Sequence, residues 1–201
     1  AFSFLKKWGN VPLGLGYLKA MCYKENLIKY VNIKILEYSK NDLSGDAKLI
    51  DTILLENPDI LGLSLYEWNS LRSLYIAKKI KQKLQKIKII VGGPEVTRED
   101  TPYIMNCNAI DIGCIGAGES TFIEIVEHCL NGKNDYRDIK GIFYRTNDGV
   151  RLTPEREPIK RFDDIPSPYL LGIINPEDYS EVWLETSRGC VNKCSYCISS
   201  S

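Results

Sequence analysis

The sequence predicts an α/β fold in which five parallel strands alternate with five helices. Two patterns in the first 131 residues support this prediction. Apolar residues recur at helical spacing in four segments, and short apolar or alternating segments separate them. The segment Asp59–Leu65 is almost entirely apolar, which is typical of a central parallel strand covered on both faces. Strands and helices in this order favour an open sheet with right-handed crossovers.

The first half of the domain supplies two strands and two helices before that central strand. The first strand is expected at Ala1–Leu5, and a helix follows Pro12, a residue that suits the first turn of a helix. Alternating apolar residues predict a strand over Val31–Glu37. The next helix is predicted to begin at Asp46 and to end before Pro58.

The second half repeats the strand–helix pattern after the central strand. We predict a helix over Leu71–Leu84, a strand over Ile87–Val91, a short helix near Arg98–Asn106 and a fifth strand over Ile110–Ile115. A last helix follows the glycine-rich residues 116–118. With five strands of this length we favour the flavodoxin-like order 2-1-3-4-5.

The pattern changes after residue 131. Residues 141–152 are predicted to form a β-hairpin around a turn at Asn147–Gly149. Pro154–Pro176 is predicted to be an extended connector, and Val182–Glu185 a strand that leads into a group of cysteines. We therefore divide the chain into an α/β domain (1–131), a hairpin with a proline-rich linker (132–178) and a terminal segment (179–201).

Composition narrows the classes of function. The 26 basic and 26 acidic residues cancel, so nothing indicates a nucleic acid or an anionic membrane as partner. Seven dispersed cysteines, an odd number, argue for a reducing compartment, and we expect a cytoplasmic protein. No apolar run reaches membrane-spanning length.

Ligands of open parallel sheets bind beyond the carboxyl ends of the strands, where the strand order reverses. Four loops are expected at that edge, and the last two are rich in glycine, which lets the backbone approach a bulky ligand closely. The four loops are residues 8–12, 66–70, 92–95 and 116–120.

Cys190, Cys194 and Cys197 are spaced as CxxxCxxC, so a short loop can turn all three sulfurs toward one metal centre. Three ligands suit a [4Fe–4S] cluster with one open iron, whereas a structural cluster or zinc normally takes four. A partial zinc site, or a redox pair of Cys194 and Cys197, is the alternative for the same residues.

The cysteines follow the residues Thr-Ser-Arg-Gly (186–189), and Tyr196 precedes the last of them. This arrangement resembles the signature of radical S-adenosylmethionine enzymes. The resemblance implies that the open iron binds S-adenosylmethionine, that Tyr196 lies at the cofactor, and that an electron from the cluster cleaves the sulfonium to a 5′-deoxyadenosyl radical. It also implies a barrel of on the order of 200 further residues, so we expect this portion alone to be inactive.

The chain as a whole resembles the cobalamin-binding subclass of that family. The residues that carry the resemblance occur in the family's order: Asp59–Ser64, Val91–Glu95, Gly116–Glu119 and Ile165–Pro168. It implies that Ser64 hydrogen-bonds the dimethylbenzimidazole tail of cobalamin and that Gly92 and Gly93 border that tail. Ser64 as a small residue that ends a buried strand remains the alternative.

The same resemblance places further residues at the cofactor. Gly116, Gly118 and Glu119 are expected near it, although Glu119 also suits the positive end of a helix. Trp8 and Asn10 are expected under the lower face of the corrin. The Asp-x-His-x-x-Gly motif that supplies a lower ligand in other cobalamin proteins is missing from this region.

The single histidine, His128, lies in the last helix of the domain, which starts rather than ends at the ligand edge. We therefore expect it at the helix surface and expect cobalamin to bind without a protein imidazole.

The resemblance implies an enzyme for radical methyl transfer or a related radical reaction, with an electron donor as partner and a substrate that the sequence leaves open. Two alternatives remain. One is an empty cobalamin-like domain that docks or grips substrate, and the other is an α/β interaction domain whose cysteines hold zinc.

Overall fold

The structure of the protein is a computed structural model. It describes residues 2–3, 11–37, 45–190, 192, 194 and 195. For Phe2, Ser3 and Glu37 this description covers the backbone. The predicted site residues Trp8, Asn10, Tyr196 and Cys197 lie outside the described residues.

One sheet runs through the described part of the chain in the order β2-β1-β3-β4-β5-β6-β7. The first five strands are parallel, and β6 and β7 continue the sheet as an antiparallel hairpin. The predicted order 2-1-3-4-5 of the parallel strands is therefore confirmed. The strands are β1 (Phe2–Ser3), β2 (Leu36–Glu37), β3 (Ile60–Ser64), β4 (Lys88–Gly92), β5 (Ile112–Cys114), β6 (Ile142–Thr146) and β7 (Gly149–Leu152).

Five α-helices in the described residues connect and flank these strands: α1 (Leu13–Lys24), α2 (Asp46–Glu56), α3 (Ser70–Lys83), α4 (Thr101–Met105) and α5 (Glu119–Leu130). Short 3₁₀ turns lie at Leu27–Lys29, Phe162–Asp164 and Pro176–Asp178. Within the described ranges, none of the helices combines the length and the apolar character needed to cross a membrane.

The helices cover both faces of the sheet because successive side chains of a strand point to opposite faces. Ile89 and Val91 of β4 pack with residues of α2 and α3, whereas Ile90 packs with Ile125 of α5. Helices α1 and α5 share a third cluster, which includes Cys22 and Val126. This burial on both faces explains the nearly continuous apolar runs in the sequence.

The predicted hairpin is present and extends the sheet beyond β5. Phe143 of β6 lies opposite Gly113 of β5, and it is fully buried. A Cβ atom at Gly113 would lie 2.0 Å from the Phe143 ring, so the ring occupies the space of a missing side chain. The missing side chain of Gly113 therefore lets the hairpin pair with β5 while the Phe143 ring packs against the glycine.

Two of the predicted strands differ from the structure. The strand predicted over Val31–Glu37 is reduced to its last two residues, and no strand forms over Val182–Glu185. A strand exists only where a neighbouring strand completes its hydrogen bonds, and no described residue pairs with 31–35 or with 182–185 in this way. The prediction of a strand at Val182–Glu185 is wrong for the structure described.

Candidate functional site

The carboxyl ends of β3 and β4 bring Ser64 and Gly92 together as directly paired residues. Ser64 is half-buried, and its carbonyl oxygen accepts a hydrogen bond of 3.0 Å from Asn69 Nδ2. No described residue hydrogen-bonds the Ser64 hydroxyl. The strand end therefore combines an available hydroxyl group with a neighbour that has no side chain.

The loop between β3 and α3 is held by Asn69, a residue that the sequence interpretation missed. This residue is 4% exposed, and its Oδ1 accepts a 2.8 Å hydrogen bond from the backbone N–H of Tyr66. Tyr66 in turn stacks on Trp68 with ring centroids 4.8 Å apart, and burial raises the pKa of Tyr66. The exposed Trp68 ring thus lies on a fixed loop at the ligand edge.

Gly92 and Gly93, predicted together, have different structural roles. A Cβ at Gly92 would come no closer than 3.8 Å to the Cys114 Cβ, which is an ordinary contact. Gly93 has a φ of +108°, and a Cβ there would lie 2.6 Å from the Leu65 carbonyl oxygen. Gly93 is therefore required by the turn itself, whereas Gly92 leaves room at the edge.

The second glycine-rich loop joins β5 to α5. Gly116 is exposed with a φ of +75°, and a Cβ there would meet nothing within 4 Å. A Cβ at Gly118 would lie 3.8 Å from Leu18 Cδ2, so this glycine borders α1. Of the two predicted residues, Gly116 is the one with open space beside it.

Glu119, the first residue of α5, carries a carboxylate whose side chain is only 7% exposed. Its Oε1 lies 2.8 Å from Nη1 of Arg188, in the residues just before the cysteines. Its Oε2 is buried and has no hydrogen-bond partner among the described residues. The structure thus connects this predicted cofactor residue to the cysteine segment.

Arg188 is held from several sides. Its Nε and Nη2 bind the two carboxylate oxygens of Glu185, each at 2.9 Å. Its guanidinium carbon lies 5.5 Å from the Phe162 ring centroid and 6.0 Å from that of Tyr17. The hydrogen bonds to Glu185 and the charge of Glu119 raise the pKa of Arg188 above its usual value. Burial, with the charge of Glu185, raises the pKa of Tyr17.

The cysteine segment follows directly. Cys190 is exposed and Cys194 is half-buried, and the Asn192 backbone N–H lies 3.4 Å from Cys190 Sγ. The described residues contain no group of three His, Cys, Asp or Glu side chains placed to hold a metal. Since the third predicted ligand, Cys197, lies outside them, the three-thiolate site stays a prediction.

His128 lies in the last turn of α5, whereas the ligand edge is at the first turn of that helix. Its Nδ1 is 2.9 Å from the Glu124 carbonyl oxygen, and its ring stacks on Tyr136 with centroids 5.8 Å apart. It is half-buried rather than freely exposed. Its place in the last turn puts it at the opposite end of α5 from Glu119.

A groove of about 540 Å³ lies beside Glu119, between α1, the start of α5 and the connector. Charges of both signs line it, including Lys24, Arg156 and Asp164. It does not include Ser64 or Gly92. The groove and the strand ends are therefore separate features.

Residues 10–126 match the B12 binding domain family. The chain belongs to the B12-binding domain family. It is 31% identical over 149 residues to the cobalamin-dependent radical SAM methyltransferase TokK of Streptomyces tokunonensis, covering 70% of this chain and 22% of that protein. It is 30% identical over 194 residues to an uncharacterized methyltransferase of Pyrococcus horikoshii, covering 94% of this chain and 40% of that protein.

Solved structures show the same fold. The cobalamin-dependent S-adenosylmethionine radical enzyme OxsB, with aqua-cobalamin and S-adenosylmethionine bound, matches with a TM-score of 0.72 at 23% identity. That match covers 94% of this chain and 26% of OxsB. This B12-binding domain and its following segment span less than half the length of the curated relatives that they match.

Proposed function

We propose that this chain is the cobalamin-binding portion of a radical S-adenosylmethionine enzyme that carries out methyl transfer or a related radical reaction. The observation that supports the proposal is the order of two features on one chain. A domain of the B12-binding family is followed by cysteines at 190, 194 and 197, with the spacing of a three-thiolate cluster site.

The described residues at the carboxyl edge fit cobalamin. Ser64 offers a hydroxyl group that no described residue hydrogen-bonds, and Gly92, directly opposite it, leaves room for the dimethylbenzimidazole tail. Gly116 leaves open space farther along the same edge. We propose that these residues hold the tail and the rim of the corrin, and that Trp8 and Asn10 lie under its lower face.

The cysteines would hold a [4Fe–4S] cluster with one iron open to S-adenosylmethionine, with Tyr196 beside it. In such an enzyme the cluster supplies the electron that cleaves S-adenosylmethionine, and cobalamin carries the group to be transferred. The chain's own contribution is to place the two sites relative to each other. An electron donor and a small-molecule substrate are the partners that this proposal requires.

Metal and corrinoid analysis of the full-length protein tests the proposal. After anaerobic reconstitution we expect about four irons per chain and a bound corrinoid with its visible absorbance. Zinc in place of iron would overturn the radical chemistry and support an interaction domain. Iron without any corrinoid would overturn cobalamin binding and support an empty domain used for docking or substrate binding.

A further inference from the structure

The ion pair of Glu119 and Arg188 connects two parts of the chain that the proposed function treats as separate sites. Glu119 opens α5 and follows the glycine-rich loop of the ligand edge, and Arg188 lies two residues before Cys190. The pair is short, 2.8 Å, and the Glu119 side chain is 93% buried. A contact of this kind fixes the position of one segment against the other.

The segment that carries Arg188 has little other regular structure to hold it. Residues 179–190 form no strand or helix. Trp183, Leu184 and Val182 are largely exposed, and the Trp183 carbonyl oxygen accepts a hydrogen bond from Tyr169, which belongs to the connector. Arg188, by contrast, contacts Tyr17 of α1 and Glu119 of α5 within the B12-binding domain.

The buried carboxylate makes the contact strongly dependent on charge. A buried charge that loses its partner is costly, because it has lost the water that would otherwise solvate it. Since no described residue hydrogen-bonds Oε2 of Glu119, Arg188 is the cation that compensates this carboxylate. Its guanidinium group is held in turn by Glu185 and by the edge-on pair of Tyr17 and Phe162 rings.

We propose that Glu119 and Arg188 are positioning residues. Their ion pair holds the cysteine segment against the ligand edge of the B12-binding domain. The inference rests on the proposed function for the identity of the two sites, but not for the contact itself. It assigns Glu119 to the interface between the sites rather than to direct binding of cobalamin. It also gives Arg188 a role that its place in a sequence motif does not reveal.

Backbone ¹⁵N relaxation of this chain tests the contact without any cofactor, because the amides of residues 184–190 donate no backbone hydrogen bond to any described residue and their order depends on side-chain contacts. Glu119→Gln and Arg188→Gln should each lower the order parameters of residues 186–190 to below about 0.6, the range of flexible backbone. The double variant should be no more mobile at residues 186–190 than the more mobile single variant, because both changes remove one interaction. Glu124→Gln is the matched control, since it removes the 2.5 Å ion pair of α5 with Arg156 in the connector.

Unchanged order parameters at residues 186–190, additive effects in the double variant, or an equal effect of Glu124→Gln would each overturn the proposal. If Glu119→Gln also raises amide hydrogen exchange in the core strand β4, the variant has destabilised the domain itself. In that case Arg188→Gln, on a segment outside the core, decides the outcome.

A second measurement separates a positioning role from simple stability. In the full-length protein, the magnetic interaction between cob(II)alamin and the reduced cluster reports the distance between the two sites. We expect a broader distance distribution in Glu119→Gln and Arg188→Gln than in Glu124→Gln, and equal distributions would overturn the role. Wild-type protein that holds no corrinoid or no iron would refute the proposed function, while the relaxation experiment would still decide the contact.

Discussion

Ser64 and Gly92 lie directly opposite each other at the ends of two neighbouring parallel strands, where the sheet meets its ligand edge. Ser64 contributes a hydroxyl group, and Gly92 has no side chain. The pairing makes the two residues a single feature, so a change at either one alters the same small region.

Gly92→Ala should weaken corrinoid binding without unfolding the domain. The added methyl group would meet the protein only at an ordinary 3.8 Å contact with Cys114, so stability should change by about 1 kcal/mol or less. If the cofactor tail passes beside Gly92, the methyl group should lower affinity by roughly tenfold or more. Corrinoid titration measures the affinity, and the urea midpoint of the same variant measures its stability. An unaltered affinity would show that the tail does not pass beside Gly92.

Gly93→Ala should instead destabilise the fold. The new Cβ would overlap the Leu65 carbonyl oxygen at 2.6 Å, and the positive φ adds strain. We expect a loss of roughly 2–4 kcal/mol in the free energy of unfolding. Gly116→Ala is the matched control because its φ is also positive but its surroundings are open, so about 1 kcal/mol is expected. Equal losses in urea denaturation would contradict the distinction.

Cys194→Ala in the full-length protein should abolish cleavage of S-adenosylmethionine and lower the iron content. The reason is that the predicted cluster has three protein ligands and no spare one. Formation of 5′-deoxyadenosine and iron per chain are the measurements. Cys129→Ala, in α5 and beside Tyr136, is the control that should retain both. Cleavage that survives in Cys194→Ala would exclude Cys194 as a ligand.

His128→Ala should leave the electron paramagnetic resonance spectrum of bound cob(II)alamin unchanged. His128 is in the last turn of α5 and stacks on Tyr136, far from the start of that helix at the ligand edge. The variant should lose about 1 kcal/mol of stability with the stacked pair. Nitrogen superhyperfine splitting that disappears in the variant would show that the imidazole reaches cobalt after all.

Stability should fall at alkaline pH through two buried thiols. Burial raises the pKa of Cys22 to about 11 and that of Cys114 to about 12, from a usual value of 9.0. Above pH 9 the unfolded chain loses these protons while the folded chain keeps them, so stability is full below pH 9 and declines toward pH 11–12. Between pH 9 and its pKa in the folded protein, each thiol contributes a slope on the order of 1 kcal/mol per pH unit.

Urea denaturation between pH 8 and 10.5 under reducing conditions measures that slope. Cys114→Ala lowers stability at every pH, because the thiol is part of the core. Its dependence on pH should nevertheless be flatter than that of the wild type. A parallel dependence in the two proteins would show that Cys114 ionises equally in both states.

Much of the architecture was predictable because its signals are local and repeated. The strand order followed from the number and length of strands that alternate with helices, and the hairpin from two strand segments around an Asn-Asp-Gly turn. The structure confirms both. Val182–Glu185 shows the limit of such signals. Its composition suits a strand, but strand formation depends on a partner that composition does not contain.

The candidate site divides in the same way. Ser64 and Gly92 were placed at one edge because parallel strands with helical crossovers all end there. The contact of Glu119 with Arg188 joins residues that are far apart in sequence, and no spacing rule links them. No sequence pattern singled out Asn69, and its role is visible only in the structure, where its side chain bonds both the Tyr66 N–H and the Ser64 carbonyl.

The hairpin at the end of the sheet also affects how the molecule meets its neighbours. Without β6, the apolar strand β5 would present unpaired backbone groups to solvent, which invites aggregation with strands of other chains. With the hairpin in place, the edge strand on this side of the sheet is β7. This four-residue strand carries Arg151 and is followed closely by Pro154. A short, charged strand next to proline is a poor template for further pairing, so the hairpin protects the protein against edge-to-edge association.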